Sequence, residues 1–127
     1  MMKFVHSNDA PQAIGPYAQA VDLGNLVICS GQTPIDPATG RLIDGDIDAQ
    51  TRQVFQNLGA VLAAAGLSLQ HIVKTSVFLK DMDDFQAMNA AYADCLDGHT
   101  PARTTVQVAK NPLDARIEIE CMAIRPK

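Results

Sequence analysis

The sequence lacks the features that mark several large classes of protein. Its longest uncharged apolar stretch, residues 58–69, has 12 residues, and a bilayer span takes ~20. No membrane segment is expected. The first nine residues hold no apolar core followed by a small-residue cleavage site, so the expected address is the cytoplasm. The three cysteines, Cys29, Cys95 and Cys121, are an odd number with no close pair. That excludes a disulfide framework and fits small, reduced, buried thiols. His6, His71 and His99 show no ligand spacing, and no metal is expected. The ten Lys and Arg residues are scattered, no two are adjacent, and net charge is −4. A nucleic-acid binder relies on a basic footprint, so that class is disfavoured. A nucleophile elbow, a phosphate loop and a dinucleotide fingerprint are all absent, and no cofactor is expected.

What is present suits one globular domain over residues 1–127. Hydrophobic residues make up 47% and charged residues 19%, enough apolar surface to build a core. The first 17 or so residues are polar and end in an Ile14-Gly15-Pro16-Tyr17 turn. Residues 18–22 and 26–30 flank Leu23-Gly24-Asn25 and read as a hairpin. Residues 31–46 carry Pro34, Pro37, Gly40 and Gly45 and read as a loop, with a turn at 36–40. Residues 47–65 recur near a 3.6-residue period, with Asp46 as N-cap and Gly66 just past the end. Residues 71–80 are β-branched and aromatic, hence a strand. Asp81 or Asp83 is expected to cap a second helix with a Phe85, Met88, Tyr92, Cys95 or Leu96 stripe. Strands follow at 103–108 and 116–124. The order β-β-α-β-α-β-β predicts an α+β fold, one mixed sheet with both helices on one face.

Two helices cover only one face of such a sheet. In the last strand Ile117, Ile119, Cys121 and Ala123 share one face, and Arg116, Glu118, Glu120, Met122 and Ile124 the other. Leu26 and Ile28 oppose Val27 and Cys29 in the same way. Strands that are apolar on both faces call for burial on both. A second copy of the chain is the simplest cover, so a homo-oligomer is expected.

Three segments could carry chemistry. Gly31 of Ser30-Gly31-Gln32 would let a ligand approach the backbone, unless it only marks a strand exit. Pro101 fixes the approach to Arg103, whose planar fork suits a carboxylate; a solvated surface Arg is the plainer possibility. Glu118 and Glu120 lie on the face expected to be an interface. An enclosed carboxylate there is either paired or raised in pKa for proton transfer.

Six segments match one pattern in order: residues 13–17 (AIGPY), 30–34 (SGQTP), 74–78 (KTSVF), 89–92 (NAAY), 101–106 (PARTTV) and 117–120 (IEIE). On these the chain resembles the Rid family of enamine/imine deaminases, also called YjgF, over essentially its whole length. The resemblance implies a chorismate-mutase-like fold and a homotrimer with a central barrel of sheets, helices outside and clefts between adjacent subunits. It implies that Arg103 clamps the substrate carboxylate and that Glu118, rather than Glu120, sits near the attacking water. The backbone at Gly31 and Thr105 would hold the reacting end, Tyr17 and Ser30 would line the cleft, and Asn89 would support it. Two departures stand out. Thr105 replaces a frequent Cys, which leaves the backbone N–H in place. His99-Thr100 stands where relatives often have an aromatic residue, which would reshape the cleft wall.

The implied reaction is hydrolysis of small 2-imino acids, such as those derived from 2-aminoacrylate, to 2-keto acids and ammonia. Other readings remain: a non-catalytic 2-keto-acid-binding regulator, a 3-aminoacrylate deaminase, or an RNA-cleaving protein that the charge balance disfavours.

Overall fold

The computed structural model describes residues 2–127. Its strands and helices are β1 (Lys3–Val5), β2 (Ala20–Asp22), β3 (Leu26–Gln32), β4 (Ile35–Asp36), β5 (Arg41–Leu42), α1 (Ile47–Ala64), β6 (Ile72–Leu79), α2 (Phe85–Leu96), β7 (Ala102–Gln107) and β8 (Ile117–Ile124). Six strands form one mixed sheet in the order β1-β2-β3-β8-β6-β7. Only β6 and β7 run parallel, because α2 carries the chain back between them. The α+β arrangement read from the sequence is therefore present.

The helix termini follow local chemistry. The Asp46 carboxylate accepts from the Ala49 N–H at 2.9 Å and caps α1. Gly66 adopts φ 77°, and Leu67 N–H returns to the Leu62 carbonyl, which closes the last turn. The start of α2 differs from expectation. Asp81 accepts from Asp83 N–H, but this caps a 3₁₀ turn over Met82–Asp84 rather than the helix. Asp84, the N-cap of α2, makes no side-chain cap hydrogen bond.

Two further corrections concern the loops. Residues 31–46 are not one loop: β3 runs on to Gln32, and β4 pairs with β5 around the expected 36–40 turn. The N-terminal segment is not wholly irregular, since β1 pairs with β2 at the sheet edge. Strands of two and three residues are held by their partners and carry no period of their own.

Alternation behaves as read. Val27 and Cys29 from β3, and Ile117, Ile119, Cys121 and Ala123 from β8, are buried against Val54, Phe55, Leu58 and Leu62 of α1 and Met88 and Leu96 of α2. Cys29 and Cys121, far apart in sequence, face one another across β3 and β8 as free buried thiols. Cys95 is only half-buried. The opposite face carries a cross-strand row of Phe4, Val21, Ile28, Met122 and Lys74. Ile28, Val73, Met122 and Ile124 are each at least 40% exposed there.

Candidate active site

The first group of residues is organised by a bulge. Between Cys29 and Gln32 the β3–β8 register slips, so that Ser30 and Gly31 bow out of the ladder. A Cβ on Gly31 would stand 2.6 Å from Oε2 of Glu118 and 2.9 Å from its Cδ. The Glu118 carboxylate thus lies on bare backbone that only glycine leaves open. Gly31 is inside the strand and not at its exit turn, so its value is the missing side chain. Burial raises the Glu118 pKa above the ordinary carboxylate range, and the charge of Glu120 adds to the rise. Glu120 itself is exposed on the same face, opposite Ser76.

Ser30 donates its backbone N–H to the Gln19 carbonyl at 3.0 Å and its hydroxyl to the Ala18 carbonyl at 2.6 Å. Its Oγ lone pairs remain available. The Tyr17 ring packs beside Gly15, and its OH accepts from Ile14 N–H at 3.3 Å. Tyr17, Ser30, Gly31 and Glu118 line one cleft of about 540 Å³.

Gln19 was not singled out from the sequence, yet it builds a wall of this cleft. It is buried, accepts from Ser7 N–H at 2.6 Å, and donates to the carbonyls of Ser7 at 3.1 Å and Pro11 at 2.8 Å. Asn57 ties α1 to the other side by donating to the Thr33 and Ile35 carbonyls. A buried amide in a bend just before a short strand, or on a helix, has no period or spacing that announces its partner.

The second group gathers on the helix face of the sheet, at β7. Arg103 is in register with buried Thr75. Its guanidinium carbon lies 4.8 Å from the Tyr92 ring centroid and 5.5 Å from that of Phe85. Two aromatic faces hold the cation in place, and among the described residues no carboxylate forms an ion pair with it. The Tyr92 hydroxyl is fixed by a 2.7 Å hydrogen bond to Thr75 Oγ1. Asn89 sits between Phe85 and Tyr92 on the same helical stripe, and its buried Oδ1 has no protein partner. Thr105 shares the strand face of Arg103, and its Oγ1 is likewise buried and unpartnered. Asn89, Tyr92, His99, Pro101 and Arg103 line a hollow of about 480 Å³. His99 is held there through Nε2, 2.6 Å from the Ile72 carbonyl.

The residues read from the sequence therefore fall into two sets. Tyr17, Ser30, Gly31 and Glu118 come together; Arg103, Thr105 and Asn89 come together elsewhere. Within one chain they occupy opposite faces of the sheet. Neither set includes a metal-binding cluster, since no group of three or more His, Cys, Asp or Glu side chains converges among the described residues. No helix among them is long and apolar enough to cross a membrane.

Known proteins match this chain in sequence and fold from end to end. Residues 7–125 match the family model described as endoribonuclease L-PSP. The 2-iminobutanoate/2-iminopropanoate deaminase of Salmonella typhimurium is 49% identical, over 98% of this chain and 99% of that one. A RutC family protein of Pyrococcus horikoshii is 47% identical, with the same coverage. Among solved structures, Escherichia coli TdcF with bound serine superimposes with a TM-score of 0.93 at 43% identity, covering 98% of this chain and 99% of that one. The YjgF gene product of Escherichia coli also gives 0.93, at 48% identity and the same coverage. With a family model spanning nearly the whole chain and relatives close to half identical, the protein belongs to the L-PSP (YjgF/Rid) family.

Proposed function

We propose that this protein is a hydrolase of small 2-imino acids, working in clefts shared between the subunits of a homotrimer. The observation that carries the reading is the pairing of two unfinished half-sites. One holds a carboxylate of raised pKa on bare glycine backbone, and the other an unpaired guanidinium held by aromatic rings. Neither alone can both anchor and hydrolyse an α-imino carboxylate. A neighbouring copy that packs on the exposed sheet face brings its Arg103 edge to the Glu118 cleft.

In the assembled cleft Arg103 grips the substrate carboxylate through a charge-assisted fork. The Thr105 N–H and the Gly31 backbone hold the reacting end, with Tyr17 and Ser30 beside them and Asn89 behind Arg103. Water adds to the C=N carbon as Glu118 takes one of its protons and passes it to nitrogen, which gives a carbinolamine. Glu118 then moves the carbinol hydroxyl proton to the amino group, the C–N bond breaks as the C=O bond forms, and a 2-keto acid and ammonia leave. A carboxyl group of raised pKa suits this two-way traffic better than a strong acid. The reaction needs positioning and one proton carrier, and the reading includes no cofactor.

The names of the relatives support this substrate class, as does the serine bound to TdcF. The family description also names an endoribonuclease. Against RNA as substrate stand the net charge of −4 and the scatter of the basic residues.

The test is a coupled assay in which a dehydratase generates the imine and its decay is followed with and without the protein. Arg103→Ala should lose roughly 2–3 kcal/mol of substrate binding. Arg103→Lys should recover little of it. The shared site makes a sharper demand. Arg103→Ala and Glu118→Gln chains, each inactive alone, should recover about a quarter of normal activity when unfolded and refolded together, since each mixed trimer regains one intact cleft. No recovery from verified mixed trimers would place both residues in one chain's site and sink the shared-cleft reading.

A further inference from the structure

The Glu118 cleft has a wall that the proposed chemistry leaves unused. Among the described residues of one chain, three of the five most exposed large apolar side chains converge on it: Ile14 at 85%, Leu113 at 63% and Tyr17 at 52%. Single exposed apolar residues are ordinary, but a convergent set in a cleft marks a contact surface. Among the described residues of one chain, Glu118 is the only carboxylate lining the cleft, and no Lys or Arg does.

Leu113 is presented at some conformational cost. It adopts φ 57°, and Asp114 follows with φ 56°. Two consecutive left-handed residues other than glycine are rare, and neither has the freedom that glycine would bring. The turn holds because its surroundings over-determine it. The Asn111 amide donates to the Phe78 carbonyl at 3.0 Å and to the Ala115 carbonyl at 3.1 Å. Lys80 pairs with Asp114 at 2.9 Å. Strain kept at a cleft, on an exposed leucine, points to function rather than packing.

We infer that Leu113 and Ile14 form an apolar subsite that selects the side chain of the substrate, favouring uncharged, branched or extended chains over a methyl group. This rests on placing the reacting carbon beside Glu118, as proposed above. The substrate side chain then leaves that carbon on the side away from the carboxylate clamp, toward the apolar wall. An acidic side chain is rejected because Glu118 repels it and Arg103, the cation that the proposed neighbour brings, is already engaged by the substrate's own carboxylate. Leu113 touches the side chain and not the reacting atoms, so its role is selection.

The experiment measures binding of 2-oxo acids by calorimetry, alongside imine turnover. 4-Methyl-2-oxopentanoate should bind about tenfold or more tighter than pyruvate, the scale set by added methyl(ene) groups in an apolar pocket. 2-Oxoglutarate should bind more weakly than either. Leu113→Gly separates selection from structure, since glycine suits φ 57° and should hold or raise the melting temperature. It should also shrink the tenfold preference to about threefold or less. Should Leu113→Gly fail to fold, Ile14→Ser on the exposed turn carries the same test. Equal binding of pyruvate and 4-methyl-2-oxopentanoate overturns the inference. So does an undiminished preference in the variants, or no binding of any 2-oxo acid. Graded binding without imine turnover would overturn the deaminase reading and leave this one standing. Turnover that is indifferent to the side chain would do the reverse.

Discussion

Glu118 illustrates how a single residue's protonation links stability to function. Its pKa is raised, so the folded protein binds a proton there more tightly than the unfolded chain does. That link destabilises the fold as pH climbs past the ordinary carboxylate value, and vanishes below it. Glu118→Gln should therefore melt higher than the parent at pH 7–8, with the gain fading toward pH 4. The same variant should lose ~10²–10⁴-fold in imine hydrolysis, because an amide keeps the shape and carries no titratable proton. Scanning calorimetry across pH, beside the coupled assay, reads both. Glu120→Gln, at an exposed position, should change neither by a comparable amount. A different demand falls on Gly31. Its backbone is not left-handed, so alanine costs little in conformation, but the new Cβ would lie 2.6 Å from Glu118 Oε2. Gly31→Ala should displace the carboxylate and cut turnover by about 10²-fold while the melting temperature shifts by only a few degrees. Unchanged turnover would show that Glu118 does not need its present seat.

At the scale of elements, the β6–α2–β7 unit is a platform for one cation. The parallel crossover sets α2 antiparallel to β7, so Phe85, Asn89 and Tyr92 run back along the strand that carries Arg103 and Thr105. The bond between Tyr92 and Thr75 ties helix to sheet beneath the guanidinium. Tyr92→Phe keeps the ring and strands a buried Thr75 hydroxyl, at a cost of about 1–3 kcal/mol in urea denaturation. Substrate KM should also rise, because Arg103 loses a fixed rest. A stability loss with unchanged KM would mean the platform does not position Arg103. On the opposite side, Asp46→Ala should cost about 1 kcal/mol through the cap of α1 alone, with KM unaffected.

For the whole molecule the exposed sheet face is decisive. Its apolar row of Phe4, Val21, Ile28 and Met122 is the surface on which we place the trimer contact. Light scattering should give three times the 13.6 kDa chain mass, and a monomer at micromolar concentration would refute the assembly. Met122→Glu puts a like charge beside Glu120 in the middle of that face. It should yield a folded monomer without imine hydrolysis, checked by circular dichroism and mass together.

The alternating faces of β8, the capped run of α1, the stripe of α2 and the α+β order were legible from the chain alone, because periodicity and caps are local. The sequence also singled out Arg103 and the Glu118–Glu120 pair as the polar groups most suited to chemistry; a strand period could not separate the two carboxylates, and only the family resemblance chose Glu118. The pairing of β1 with β2, the β4–β5 hairpin and the 3₁₀ turn before α2 lay beyond it, since segments of two or three residues take their form from neighbours. So did the bulge that seats Glu118 on Gly31, the aromatic rest under Arg103, the pins made by Gln19 and Asn57, and the left-handed turn that lifts Leu113. These depend on contacts between residues distant in the chain, which no local period encodes. The separation of Arg103 from Glu118 on opposite faces was decided by tertiary structure alone. Strand order and the one-sided helices put a sheet between them, and no reading of spacing along the chain contains that distance.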